Sequence, residues 1–292
     1  MNSPLVSVLM TSFNREKYIG QAIESVLASS YMHFELIIVD DRSTDDTVAI
    51  AQSYAVNDSR VHVYINEQNI GDYPNRNKAA SYAKGEFLKY LDADDLIYRH
   101  GIEVMVEYME RFPNAGFGLS VTGFDDDEPY PMLLLPEDII RSEFLSKSYL
   151  TVGPSASIIR KDAFEAVGGF SGVQFIGDTE LWLRLAENYP MVLMNPSFNW
   201  WRQHPEQQMK QEKKNREIAI KRLNLSLRHL ERNRSVFTAE EYQFALKRKK
   251  QHFARSILSQ TIKKGDLKSL QFYLKKSGLE LNDWLAGLRG YM

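Results

Sequence analysis

The first part of the chain alternates short apolar runs with longer stretches in which apolar residues recur every three or four positions. The short runs predict buried strands and the longer stretches predict helices packed on one face. Such alternation is typical of an α/β fold in which helices flank a mostly parallel sheet. The predicted strands are Leu5–Met10, Leu36–Val39, Val61–Ile65, Glu86–Leu91 and Phe117–Val121, and the predicted helices are Tyr18–Ala28, Ser43–Ala55, Asn75–Lys84 and Ile102–Arg111.

Two local signals refine the ends of these helices. Ser43 and Asp46 are spaced like a capping box at the start of the second helix. Gly85 follows the third helix and predicts its C-terminal end.

The pattern changes towards the C-terminus. A mixed region from Thr151 to about His204 is followed by helical, basic segments with apolar residues at three-to-four spacing. The predicted domains are therefore residues 1–204, an α/β domain, and residues 205–292, a basic helical appendage. The apolar residues that predict the first appended helix are Ile218, Leu223, Leu227 and Leu230.

Charge divides the chain in the same way. The 292 residues have a net charge of −2, yet residues 210–292 carry 20 Lys and Arg against 8 Asp and Glu, a net +12. Most simply this basic region is the solvated face of a helical appendage. Two alternatives are a surface for anionic lipid or a lipid-phosphate acceptor, and a nucleic-acid surface. No nucleic-acid recognition module accompanies the charge, so we expect no nucleic-acid partner.

Composition and the N-terminus narrow the protein class. The absence of cysteine excludes disulfides, thiolate metal sites and a cysteine nucleophile. The chain starts without a basic stretch and cleavage site, and no apolar run approaches the ~18 residues of a spanning helix. We expect a cytoplasmic protein, with peripheral attachment at the inner face of the membrane as an extension. Homo-oligomerisation is left open.

Polar residues cluster where the predicted strands end. In a parallel sheet these positions line one edge, at which helix N-termini and loops bind ligands. The alternative is that Asp and Asn simply terminate strands. The candidate ligand-binding residues at this edge are Thr11, Phe13, Asn14, Asp40, Asp41, Asn69 and Asp92.

The densest cluster is Asp92, Asp94 and Asp95, directly after the fourth strand. In an extended chain, residues two apart project to the same side, so Asp92 and Asp94 are expected to face one ion. Carboxylate oxygens suit Mg²⁺ or Mn²⁺, which take further ligands from water and phosphates. The sequence therefore predicts a divalent metal cofactor.

Three segments together carry a family resemblance. SVLMTSFNREKYIGQAIESVL, FELIIVDDRSTDDT and NIGDYPNRNKAASYAKGEFLKYLDADD resemble the nucleotide-binding half of family 2 inverting glycosyltransferases, which have the GT-A fold, a Rossmann-like sheet flanked by helices. The similarity covers roughly residues 4 to 204. It implies that Thr11, Phe13 and Asp40 hold the base, mainly uracil, and that Arg76 lies near the base or phosphates.

The resemblance also assigns the acidic and C-terminal motifs. It implies that Asp94 and Asp95 contact ribose and metal. Arg202 and His204 resemble an Arg-x-His pair that contacts the diphosphate or completes the metal shell. For His204 alone, a surface or capping role is the alternative.

A second acidic motif stands before a predicted helix at Thr179–Asn188. Asp178 matches the catalytic base of the family, and Gly177 replaces a residue that is usually acidic. The alternative is that Asp178 only caps the helix. Trp182, at helical spacing with apolar neighbours, is expected in the core more than on a sugar.

These features predict a metal-dependent inverting glycosyltransferase. It would move a sugar from a nucleotide-sugar donor, with UDP favoured, to a hydroxyl of a glycan or lipid-linked saccharide, with Asp178 as general base. The acceptor pocket is expected from Gly123–Pro136 and Thr151–Gly177. Alternatives are a sugar nucleotidyltransferase, which would need a glycine-rich loop after the first strand, and a catalytically silent nucleotide-sugar or carbohydrate-binding module.

Overall fold

A computed structural model describes residues 3–122, 129–196, 198–204, 215–263 and 265–289. It contains two compact units, of residues 1–139 with 149–203 (the first unit) and of residues 140–148 with 204–292 (the second unit). Residues 140–148, which the sequence-based boundary assigns to the first domain, thus group with the second unit. Residues 123–128 of the predicted acceptor loop and 205–214 at the start of the predicted appendage lie outside the described residues.

The first unit contains a central sheet with helices around it. Its strands run in the order β3-β2-β1-β4-β8-β6-β9-β7, and β1, β2, β3 and β4 are mutually parallel. The sheet strands are β1 (Val6–Ser12), β2 (Phe34–Asp40), β3 (Val61–Ile65), β4 (Phe87–Tyr90), β6 (Phe117–Ser120), β7 (Met132–Leu134), β8 (Ser157–Arg160) and β9 (Met191–Met194), and a separate pair is β5 (Leu96–Ile97) with β10 (Asn199–Trp200). The predicted α/β class with a mostly parallel sheet is confirmed.

The helices bury the apolar face that their periodicity predicts. In α1 the buried residues Ile19, Ile23 and Val26 recur at intervals of three and four and pack in the main core beside the sheet. The helices of this part of the chain are α1 (Ile19–Leu27), α2 (Thr47–Asn57), α3 (Asp72–Tyr82), α4 (Gly101–Arg111), α5 (Pro136–Leu145), α6 (Lys161–Ala166) and α7 (Gly177–Ala186).

The predicted capping box at Ser43 is wrong. Helix α2 begins only at Thr47, whose backbone N–H donates to Asp45 Oδ1 at 3.0 Å. The Ser43 hydroxyl donates instead to Asp40 Oδ2 at 2.6 Å, at the end of β2, and does not cap the helix.

Gly85 does not end helix α3, so this prediction is wrong. Helix α3 ends at Tyr82, and Ala83 is its C-terminal cap. A Cβ atom at Gly85 would lie 2.6 Å from the backbone of both Leu5 and Ser7. Glycine is therefore required because β1 approaches this turn closely.

The second unit is helical, with a small core formed by Leu223, Phe253, Ile257, Tyr273 and Trp284. Its described helices include α8 (Arg216–Arg232), α9 (Ala239–Lys263), α10 (Leu267–Lys276) and α11 (Leu281–Arg289).

A capping box sets the start of α9. The Glu241 backbone N–H donates to Thr238 Oγ1 at 3.2 Å, and the Thr238 N–H donates to Glu241 Oε2 at 2.9 Å. In the described part of the chain, no helix combines the length and apolar character needed to cross a bilayer.

Candidate functional site

The carboxyl ends of β1, β2 and β4 lie side by side at one edge of the sheet, as the sequence predicts. After β1, Phe13 is 44% exposed although it is large and apolar. Asn14 has a φ of 52°, and its Oδ1 accepts a hydrogen bond from the Thr44 backbone N–H at 2.9 Å. Thr11 is half-buried in β1. Phe13 is therefore an exposed apolar ring at this edge of the sheet.

The two aspartates at the end of β2, Asp40 and Asp41, are buried and accept hydrogen bonds from other residues of the protein. Asp40 accepts from the Ser12 and Ser43 hydroxyls at 2.9 and 2.6 Å. Asp41 accepts from the backbone N–H of Gly71 at 2.8 Å, and Asn69 donates to the Asp41 carbonyl at 3.0 Å. These hydrogen bonds fix the loops after β1 and β3 around the end of β2.

The acidic triplet adopts a turn, so the expectation of an extended chain is wrong. The Asp95 backbone N–H donates to the Asp92 carbonyl at 2.9 Å, which bends residues 92–95 back on themselves. As a result the three carboxylates meet different donors. Asp92 pairs with Arg76 at 2.7 Å, Asp94 pairs with Arg15 at 3.0 Å, and Asp95 accepts from the Arg202 backbone N–H at 3.1 Å.

Asp95 and Lys89 are two buried ionisable groups within this edge. Burial raises the pKa of the Asp95 carboxyl to about 7, and the charge of Asp92 adds to the rise. Burial lowers the pKa of the Lys89 ammonium to about 7, against the attraction of Asp95 and Asp92. Lys89 Nζ donates to the carbonyls of Tyr90 and Ser155. The Lys89 amino group thus lies close enough to Asp95 and Asp92 to interact with their charges.

Arg76 is the buried cation of the site. Its Nε donates to Asp72 Oδ1 at 2.8 Å and its Nη2 to Asp92 Oδ1 at 2.7 Å. The third nitrogen, Nη1, is buried and has no hydrogen-bond partner among the described residues. A buried guanidinium N–H without a partner is costly, so Arg76 has an unused hydrogen-bond donor at this edge.

Asp178 lies in the first turn of α7, and Ile176 is the N-cap residue of that helix. Asp178 is therefore not the N-cap, and its Oδ1 accepts from the next backbone N–H, that of Thr179, at 2.7 Å. Its charge acts on Tyr73, which stands three residues before Arg76 on α3. One turn of α3 thus contacts both Asp178 and, through Arg76, Asp92.

Arg202 and His204 follow β10. The Arg202 Nε donates to the Asp94 carbonyl at 2.8 Å, and its guanidinium stacks over Trp200 at 4.8 Å from the ring centre. His204 is buried and belongs to the second unit. The predicted role of His204 as a metal ligand stays a prediction.

Several residues at this edge were absent from the sequence-based set. Arg15 and Ser155 bond directly to candidate residues; the Ser155 hydroxyl, for example, accepts from the Asp92 backbone N–H at 3.0 Å. Lys89 and Tyr73 lie near the charges of Asp92 and Asp178, respectively. A signal existed only for Lys89, a charged residue inside an apolar strand. Trp182 is fully buried and donates to the Val152 carbonyl at 2.8 Å, so the core position expected for it is confirmed.

No group of three or more His, Asp or Glu side chains in the described residues is arranged to hold a metal ion. The carboxylates of the triplet instead meet arginines and N–H donors, as described above. The carboxylate oxygens at this edge could supply one or two ligands to a cation, and the remaining ligands would have to come from elsewhere.

A family model, Glycosyl transferase family 2, matches residues 7–168, which contain every element of the edge up to Ser155. TuaG of Bacillus subtilis, assigned as a teichuronic acid biosynthesis glycosyltransferase, is 44% identical over 149 residues, half of this chain. EpsE of the same organism, assigned as a glycosyltransferase, is 32% identical over 198 residues, or 64% of this chain. The chain spans 59% of the length of TuaG and 69% of that of EpsE.

Solved structures agree in fold. S. aureus TarS residues 1–349, in complex with UDP-GlcNAc, has a TM-score of 0.61 at 18% identity, over 90% of this chain and 88% of that one. The mannosyltransferase PcManGT from Pyrobaculum calidifontis, in complex with GDP-Man and Mn²⁺, has a TM-score of 0.62 at 16% identity, over 100% and 80%. By the family match and the similarity to EpsE, the chain belongs to glycosyl transferase family 2.

Proposed function

We propose that this protein transfers a sugar from a nucleotide-sugar donor to a hydroxyl of a glycan or lipid-linked saccharide, with inversion at the anomeric carbon. The observation that carries the proposal is the first turn of α3. There Tyr73 meets the segment of Asp178, and Arg76 binds Asp92 at the end of β4. An acid on the acceptor side and acids on the donor side thus flank the same helical turn.

Asp178 is the general base of the proposed reaction. It would take the proton of the acceptor hydroxyl as that oxygen attacks the anomeric carbon, while the bond to the diphosphate breaks on the opposite face. Its place in the first turn of α7 favours the ionised carboxylate, because the N-terminus of a helix carries partial positive charge.

The donor lies across the carboxyl edge of the sheet. Phe13 offers its exposed ring to the base, and Asp40 holds the loops on either side. Arg76 Nη1 and the guanidinium of Arg202 bind the diphosphate, because arginine N–H donors match phosphate oxygens. UDP is the favoured nucleotide, in line with the UDP-GlcNAc bound to TarS, and GDP is the competitor suggested by PcManGT.

The residues fit a divalent cation that takes much of its shell from the donor. Mg²⁺ and Mn²⁺ prefer oxygen ligands and are commonly bound by one or two carboxylates together with substrate phosphates. Asp94 and Asp95, both of the first unit, supply such oxygens. When bound, the cation neutralises the charge of the departing diphosphate. Arg15 already binds Asp94 Oδ2 at 3.0 Å, so a cation at this carboxylate would compete with Arg15 for that oxygen.

A surface on the second unit supports peripheral attachment to anionic membranes from the cytoplasmic side. Helices α10 and α11 expose leucines although each also buries an apolar face in the core of that unit. Lys268, Lys275 and Lys276 stand beside them, within the segment of net charge +12. Exposed leucines among lysines suit an anionic lipid surface, which takes up apolar side chains and attracts the positive charge. The exposed leucines are Leu267, Leu274, Leu281, Leu285 and Leu288.

Replacement of Asp178 by Asn tests the base. With water as acceptor, we expect release of nucleoside diphosphate from a panel of UDP-, GDP- and dTDP-sugars to fall about 10²–10⁴-fold, with donor affinity unchanged. Asp162→Asn is the matched control, because Asp162 also accepts from the next backbone N–H at 2.7 Å in the first turn of a helix. Equal turnover in the two variants would remove Asp178 from the mechanism.

Donor binding without turnover in the wild type would favour the silent binding module, and release of pyrophosphate from a nucleoside triphosphate would favour the nucleotidyltransferase.

Calorimetry with UDP tests the cation. We expect UDP to bind tightly with Mn²⁺ and at least tenfold more weakly in EDTA, because about 1.4 kcal/mol of lost attraction already has that effect. Asp94→Asn should lose the Mn²⁺ dependence. Asp58→Asn is the control, because Asp58 pairs with Arg60 at 2.7 Å in a similar half-exposed arrangement. UDP affinity that is equal with Mn²⁺ and with EDTA in the wild type would contradict the metal model.

The raised pKa of Asp95 predicts how stability depends on pH without metal. The folded pKa is about 7, above the ordinary value of ~4, so the folded state holds a proton that the unfolded state releases between these values. In EDTA, the free energy of unfolding should therefore fall as pH rises from about 4 to 7. Asp95→Asn should show a smaller fall, measured by thermal melts at pH 5 and pH 7. An identical pH dependence in both proteins would contradict this charge assignment.

Sedimentation with phosphatidylglycerol vesicles tests the membrane surface. We expect wild-type protein to bind at low salt and to be released at high salt, and Leu281→Ser/Leu285→Ser to bind at least tenfold more weakly. Met32→Ser/Val56→Ser is the control, because both residues are exposed apolar side chains of the first unit. Binding that is unaffected by the leucine substitutions, or leucine-dependent dimers that bind no vesicles, would overturn the proposal.

A further inference from the structure

Helix α7 starts without a cap from its own N-cap residue. The side chain of Ile176 accepts no hydrogen bond, and the first backbone N–H groups of a helix need acceptors from elsewhere. One of these is the N–H of Asp178, which lies near the side-chain oxygen of Tyr73. Tyr73 belongs to the first turn of α3, so a residue about a hundred positions earlier completes the start of this helix.

The ring of Tyr73 also occupies the space beside position 177. A Cβ atom on Gly177 would lie 2.8 Å from Cε2 and Cζ of that ring, closer than real Cβ contacts allow. Phe170 stacks on Tyr73 with 5.3 Å between ring centres. Because Tyr73 is buried and held by Phe170, it leaves no room for a side chain at 177. The glycine and the tyrosine are therefore complementary.

The hydroxyl of Tyr73 keeps its proton at neutral pH. Burial raises the pKa of this hydroxyl, and the negative charge of Asp178 raises it further. Tyr73 is therefore not a competing base beside Asp178. It acts through its shape and through the acceptor oxygen that it presents to the Asp178 N–H.

We propose that Tyr73 is a positioning residue that holds Asp178 at a set distance from the donor site. This inference rests on the proposed role of Asp178 as general base. Tyr73 fixes the first turn of α7, while Arg76, three residues further along α3, holds Asp92. The two residues are neighbours on one helix, so α3 sets the spacing between the base and the acids at the end of β4.

The spacing matters because attack requires a near-linear arrangement of acceptor oxygen, anomeric carbon and leaving group. A displacement of about 1 Å in a reacting group can cost about 10²-fold in rate. A shift of Asp178 would therefore lower kcat and leave donor binding intact, since donor contacts come from other residues.

The test uses kinetics of nucleoside diphosphate release by the full chain, with the best donor from the panel and water as acceptor. Tyr73→Phe keeps the ring and removes the acceptor oxygen, so we expect kcat to fall about fivefold, the effect of one lost hydrogen bond. Tyr73→Ala and Gly177→Ala should each lower kcat about 10²-fold, with KM for the donor unchanged. The pH at which kcat rises should shift in all three variants, because the surroundings of Asp178 change.

The double variant Tyr73→Ala/Gly177→Ala tests whether Tyr73 and Gly177 act together on the first turn of α7 or independently of each other. If Tyr73 and Gly177 act on the same turn, the double variant should lose no more than Tyr73→Ala alone. Multiplied losses would overturn the shared role. Tyr82→Phe, a hydroxyl deletion at the far end of α3, is the control and should match the wild type.

Asp178→Asn, measured in the same series, distinguishes failure of the proposed base from failure of the positioning role of Tyr73. If Asp178→Asn has full activity, the proposed function of Asp178 fails. If Asp178→Asn is impaired while Tyr73→Phe and Gly177→Ala match Tyr82→Phe in kcat and pH profile, only the positioning inference fails. Tyr73→Phe preserves the packed ring, so its result stands even if Tyr73→Ala does not fold.

Discussion

Everything at the sheet edge depends on how three neighbouring aspartates are kept together at the end of β4. Asp92, Asp94 and Asp95 follow one another in a tight turn, and like charges at such short range repel. Each of the three carboxylates is stabilised by an arginine side chain or by a backbone N–H donor. Arg76 comes from α3 and Arg15 from the loop after β1. These partners draw separate parts of the chain towards one point.

The same pairing defines what a ligand must do. A donor diphosphate brings negative charge towards carboxylates, so it requires positive charge that is not already spent. The charge of Arg76 is already shared by Asp72 and Asp92, but its buried Nη1 keeps an N–H donor that no described residue satisfies. A divalent cation at Asp94 would supply more, in competition with Arg15. Without ligand, the charge of Asp94 is balanced by Arg15. With donor and metal bound, the divalent cation would take over this role from Arg15.

The parallel sheet and its polar edge were predictable from sequence because periodicity and strand ends are local signals. The partners of the carboxylates were not, since Arg76 lies 16 residues from Asp92 and Arg15 lies 79 residues from Asp94. The turn at residues 92–95 was missed because alternation of side chains assumes an extended backbone. The short antiparallel strands were not predicted because they are too brief to show a clear hydrophobic period; they are β5, β7, β8 and β10.

The central claim is that a divalent cation and a diphosphate meet at the end of β4, facing Arg76. Anomalous diffraction from crystals grown with UDP and Mn²⁺ tests it most directly. We expect one Mn²⁺ peak in contact with the diphosphate and with Asp94 or Asp95, with Arg76 Nη1 directed at a phosphate oxygen. Ordered UDP that lies away from the end of β4, or a Mn²⁺ peak that touches neither aspartate, would contradict it.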